Sequence, residues 1–153
     1  EEYLIDFMDY CKSEGLSNVV FVRFPHPIKK GVESYDCFAR SNTVEKMVTA
    51  SGFQYIGYDK QIQDIGLDYK TDFYDGNHLN VYGQAKMTKY FAADLMHRFQ
   101  IVPKQQSEKN VQLWEDSVKY TEAYFLEMDK RIKANAEDWP YEDEEFINSL
   151  EIE

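Results

Sequence analysis

The chain has 153 residues, 43% of them hydrophobic and 16% aromatic, which suits one packed domain and is short for two. Its 28 acidic residues against 17 Lys and Arg give a formal charge of -11. That balance argues against a nucleic-acid partner and against adsorption to anionic lipid, both of which need a basic footprint. Cys11 and Cys37 make no disulfide framework, and neither has metal-ligand spacing to a neighbour, so no metal and no other cofactor is expected.

Residues 3–14 carry Leu4, Phe7, Met8 and Cys11 at helical spacing, and Gly15 follows as a stop. Residues 18–24 form the strongest strand signal. The unbroken apolar run from Val19 to Val22 suits a central parallel strand covered on both faces, and Pro25 and Pro27 end it. Residues 28–41 read as a loop. Asn42 with Glu45 three positions later is a capping-box pattern, which predicts a helix carrying Val44, Met47 and Val48 and closed by Gly52. Residues 53–58 read as a second strand, and residues 59–79 as mostly irregular with a helical turn near residues 61–65. Asn80 is the natural N-cap of a helix over residues 81–98, with Met87, Phe91 and Leu95 along one face.

Pro103 and the polar run to Lys109 mark a joint. A last helix is predicted over residues 109–134, with Trp114, Val118, Phe125, Met128 and Ile132 on one side. From Ala134 onward there are eight acidic residues and no Lys or Arg. This tail is either a solvated end or a docking segment for a basic partner. Trp139, Tyr141 and Phe146 would order part of it. No run of eighteen apolar residues and no signal peptide is present, and an opening Glu1-Glu2 is how a mature protein or a fragment begins.

Strand, helix, strand in that order reads as the end of an open parallel sheet. Two strands are too few for such a sheet to stand alone. The expectation is therefore the C-terminal part of a larger α/β domain over residues 1–102, followed by a helical extension with an acidic tail over residues 103–153. The exposed sheet would then bring self-association, or pairing with the missing half.

The segment from Asp72 to Gly83 packs an acid, an imidazole and a carboxamide just ahead of a helix. Asp75 precedes His78 by three residues across Gly76-Asn77, which is good turn material. Asp75 could accept the Nδ1 hydrogen and leave Nε2 of His78 free as a base. Capping and turn roles fit the same residues.

The letters from Phe73 to Lys86, with Asp75, His78-Leu79-Asn80 and Gly83, resemble the last block of the SGNH (GDSL-like) hydrolase and acyltransferase superfamily. The resemblance implies a three-layer α/β/α, flavodoxin-like domain with a parallel sheet, of which this chain would hold the C-terminal half. It implies catalytic roles for Asp75 and His78 in an ester hydrolase or O-acyltransferase acting on an acylated carbohydrate, a cell-envelope polymer or a small ester. The protein would be bacterial; its place, in the cell envelope, outside the cell or in the cytoplasm, is left open. The alternative is a non-catalytic binding domain of the same architecture. No serine stands after a first strand in the expected way. Ser34, in the predicted loop, is a weak substitute, so the chain alone is expected to be inactive.

Around that block, Tyr74, Asn80 and Tyr82 are candidate substrate contacts, the two tyrosines as an aromatic wall. His26, in the loop beyond the first strand, is another, since ligands collect past the carboxyl ends of parallel strands. Arg23 and Arg40 could meet an anionic group. His97 sits where a helix C-terminus favours an imidazolium. A third reading makes the chain a helical interaction element using residues 109–134 and the acidic tail.

Overall fold

The structure, a computed structural model, describes residues 2–26, 32–74 and 78–134, with the backbone alone for residues 32–34. Asp75 and the aromatic residues of the tail lie outside the described residues. The chain divides into two compact units, Glu1–Lys86 and Met87–Glu153.

The first unit opens with α1 (Glu2–Ser13), whose Met8 and Cys11 are buried. Gly15 stops it at a φ of 66°, where its amide donates to Lys12 O at 3.1 Å and the Leu16 amide to Cys11 O at 2.8 Å. β1 (Val20–Arg23) follows, then α2 (Val32–Ala50) and β2 (Gln54–Gly57). The strands pair in parallel, from Val20 opposite Gln54 to Arg23 opposite Gly57. This is the pairing that the strand-helix-strand order predicts.

Two expectations need correction here. α2 starts at Val32, ten residues before Asn42, so Asn42 lies inside the helix and does not cap it. No Gly or Pro interrupts residues 32–50, so nothing halts the helix before Gly52. The Thr43 and Thr49 hydroxyls donate to carbonyls four residues back, at 3.0 and 2.7 Å, which ties those side chains to the helix itself.

The second correction concerns the sheet. Among the described residues it has two strands, so the three-layer α/β/α domain does not form; the chain is small and mostly helical. β1 is half-buried along its whole length, not enclosed on both faces as a central strand would be. After β2 the chain turns through a 3-10 segment (Tyr58–Lys60) into the one-turn helix α3 (Ile62–Ile65), and adds no third strand among the described residues.

The core of this unit joins Met8 and Cys11 to Val48, Ile56, Tyr58, Ile65, Leu67, Phe73 and Val81. Phe21 meets Phe7 and Phe53 edge-on at 6.0 and 5.6 Å. Each large side chain so enclosed stabilises the fold by about 1.5–3 kcal/mol. Phe73 and Leu79 form an antiparallel bridge, and the Tyr74 amide donates to His78 O at 2.9 Å. This bridge leads through Asn80 directly into α4 (Val81–Phe99).

The second unit holds the later turns of α4, with Met87 buried, and α5 (Glu108–Lys133). α4 is followed by Gln100, a non-glycine residue at a φ of 49°. Ser107 caps α5 by accepting from the Asn110 amide at 3.3 Å. Along α5, Met128 is buried and Phe125 and Ile132 are half-buried, while Val111, Leu113, Trp114 and Val118 are exposed. No helix among the described residues is long and apolar enough to cross a membrane.

Candidate functional site

The block from Asp72 to Lys86 is a knot of capping interactions. Asn80 is buried, and its Oδ1 accepts the amides of Tyr82 and Gly83 at 3.0 and 3.2 Å, while its Nδ2 donates to Thr71 O at 2.7 Å. These bonds satisfy the first donors of α4 and leave the carboxamide committed to backbone. Gly83 is required sterically, because a Cβ there would lie 2.3 Å from Asp72 O and 2.8 Å from Leu79 Cδ2.

Asp72 is the acid at the centre of this knot. Its carboxylate accepts from the Asp68 amide at 2.7 Å, Lys86 Nζ at 2.7 Å and Thr71 Oγ1 at 3.3 Å. Burial pushes the Asp72 carboxyl up, but the Lys86 ammonium, the Asp68 amide and the Thr71 hydroxyl outweigh it and hold the group below the ordinary carboxylate range. Position alone did not single out Asp72, since its partners come from Asp68, Thr71 and Lys86.

His78 lies exposed beside this knot, next to the Phe73–Leu79 bridge, and its partner in the expected acid–base pair, Asp75, is outside the described residues. Tyr74 and Tyr82 are half-buried on either side. His26 is exposed beyond the end of β1, next to the buried Pro25, and Arg40 and His97 are exposed on α2 and α4.

A second cluster lies at the carboxyl ends of the strands. The Arg23 Nε is 3.0 Å from the Asp59 carboxylate, whose side chain is fully buried. The two are close but not aligned for a hydrogen bond, so the pair is held by charge. Arg23 Nη2 donates to the Cys37 Sγ at 3.1 Å, and its guanidinium lies 6.0 Å from the Phe38 ring. Arg23 thus faces a residue of its own chain and not an incoming anion. Ser41, buried on α2, shares a hydrogen bond of 3.2 Å with the Tyr55 hydroxyl.

The third feature is the outer face of α5. Trp114 is 68% exposed, Val118 51% and Val111 44%. Together with Gln106, Glu115 and Lys119 they line a shallow groove, and a second groove lined by Thr121, Glu122, Phe125 and Leu126 continues along the helix. Val111, Trp114, Val118, Thr121, Phe125, Met128 and Ile132 recur at alternating steps of four and three, the a and d positions of a heptad. The C-terminal half of this seam is covered, and the N-terminal half is open.

No family model, curated protein or solved structure matches the chain. The hydrolase or O-acyltransferase function implied by the resemblance is overturned by the fold. The resemblance places that chemistry on a multistranded parallel sheet, at whose edge the nucleophile, oxyanion donors and base would gather. Here the described sheet has two strands, and no catalytic triad and no cluster of three metal-ligating side chains occurs among the described residues. The non-catalytic domain of the same architecture falls with the sheet. The strand-end cluster and the capping knot have structural partners for their charges, whereas the apolar half of α5 faces solvent.

Proposed function

We propose that this chain is a docking module whose working surface is the N-terminal half of α5, where it receives the apolar face of a partner helix. The carrying observation is the seam that continues out of a covered segment at Phe125, Met128 and Ile132 into an uncovered one at Val111, Trp114 and Val118. An apolar stripe in heptad register is complementary to another helix, since its side chains form the holes into which a second set of knobs fits. Trp114 is the natural anchor, because a large rigid aromatic loses little entropy on binding and buries much area. Leu126, 65% exposed, extends the same surface toward the second groove.

The test is a titration of the isotopically labelled chain with a synthetic amphipathic helix bearing Leu at its a and d positions and Gln on its flanks, followed by amide shifts. Shifts concentrated in residues 106–126, and lost in a Trp114→Ser/Val118→Ser variant of unchanged helicity, support docking on α5. Shifts elsewhere, or none at millimolar peptide, would sink the reading.

A further inference from the structure

We infer that α5 selects a partner helix whose apolar seam is flanked by Lys or Arg, in preference to a second copy of this chain. This rests on the docking reading and adds the chemistry of the occupant. In the register set by Val111, Trp114 and Val118, the e positions are Glu108, Glu115, Glu122 and Asp129, all acidic. They stand two helical turns apart, about 10 Å, and form a rail along one border of the open seam. The opposite border, the g positions, holds Asn110, Ser117 and Tyr124 before Arg131.

Of the other acids on the second unit's helices, Asp116 accepts from the Gln112 side-chain amide at 2.9 Å without an ion pair among the described residues, and the rest are paired with a cation. Asp94 pairs with Arg98, Glu127 with Lys130 and Arg131, and Asp129 with Lys133. Among the described residues no ion pair engages Glu108, Glu115 or Glu122, and all three are exposed. Asp129, the rail acid beside the covered end of the seam, is paired with Lys133 within the helix, and the three that border the open end have no ion pair among the described residues. An opposite charge from outside completes the pattern.

A second copy cannot supply it. Two α5 helices side by side in parallel would set each rail against Asn110, Ser117 and Tyr124, giving no opposite-charge pair. Antiparallel, the two rails would face each other, and like charges across a helix interface are repelled. The formal charge of -11 adds to the repulsion between copies. A helix with Lys or Arg along its flank gains where the copy loses.

Three peptides of identical Leu seam, with Lys, Gln or Glu at the flanking positions, test this by titration against the whole chain. Exposed pairs contribute roughly twofold each, so the Lys peptide is expected to bind about tenfold more tightly than the Gln peptide at low salt. The Glu peptide should bind more weakly than either, and the spread should collapse near 1 M salt. A Glu115→Lys/Glu122→Lys chain, which leaves Glu108 to its favourable place in the first turn of α5, should invert the order. Equal binding of all three peptides, or an order that the reversal leaves unchanged, overturns the selection and leaves docking intact. Failure of all three to bind α5 overturns both. Sedimentation of the wild-type chain as a dimer that Trp114→Ser dissolves would show the occupant to be a second copy and defeat the inference directly.

Discussion

Asp72 is almost wholly removed from solvent, with a side chain only 2% exposed and three donors aimed at it. Its carboxyl is held below its ordinary range, so its contribution to stability is present above the unfolded value, near pH 4, and is lost as pH falls through the lower folded value. Asp72→Asn keeps an acceptor for the Asp68 amide but loses the charge-assisted bond to Lys86. It should cost about 1–2 kcal/mol at pH 7 and flatten the acid limb of the stability curve. Urea unfolding of both proteins from pH 7 down to pH 2 reads this directly; parallel acid limbs would remove Asp72 from the account. Asn80 was recognisable as a cap from its place before an apolar-periodic stretch. Asp72 was not, because an acid in a turn acquires meaning only when residues 68, 71 and 86 meet around it. The letters at Asn80, Gly83 and Lys86 that resembled a catalytic block have local work here: a cap, a close backbone approach and a counter-ion.

The helices show where reading the chain by elements succeeds and where it stops. α1, α4 and α5 were legible because each has a clear apolar stripe and a marked boundary: Gly15, Asn80 and the joint after Pro103. α2 was half missed. Its first ten residues have no apolar periodicity, and the Asn42 and Glu45 pair offered a false start. Helix continuity there comes from the lack of a breaker, a weaker signal than a cap. At the end of α4, Gln100 adopts a left-handed φ of 49° while the Ile101 amide donates to Met96 O at 3.1 Å. A side chain disfavours that conformation and glycine does not. Gln100→Gly should therefore stabilise the chain by about 0.5–1 kcal/mol, seen as a higher denaturant midpoint at unchanged slope. A lower midpoint would mean that the gain of backbone freedom in the unfolded chain outweighs the relief.

At the scale of the molecule, two strands could be placed but not the sheet they were assigned to. The apolar run at Val19–Val22 says that a strand is partly covered, and its cover comes from side chains such as Phe7 and Phe53 meeting Phe21, not from further strands. The parallel pair also sets the order in which the chain must assemble. Each residue of β1 meets a partner 34 positions away, with α2 in between. Closing a loop of that length costs conformational entropy before any ladder bond repays it. A formed helix advances only about 1.5 Å per residue against about 3.3 Å extended, and it forms in about a microsecond. Folding α2 first shortens the tether, so the transition state should contain the helix. Ala39→Gly, on the exposed side of α2, should slow refolding about fivefold and leave unfolding nearly unchanged in stopped-flow measurements. An effect confined to the unfolding rate would place the sheet before the helix. The speed at which the strands meet is then a property of α2, an element outside the sheet.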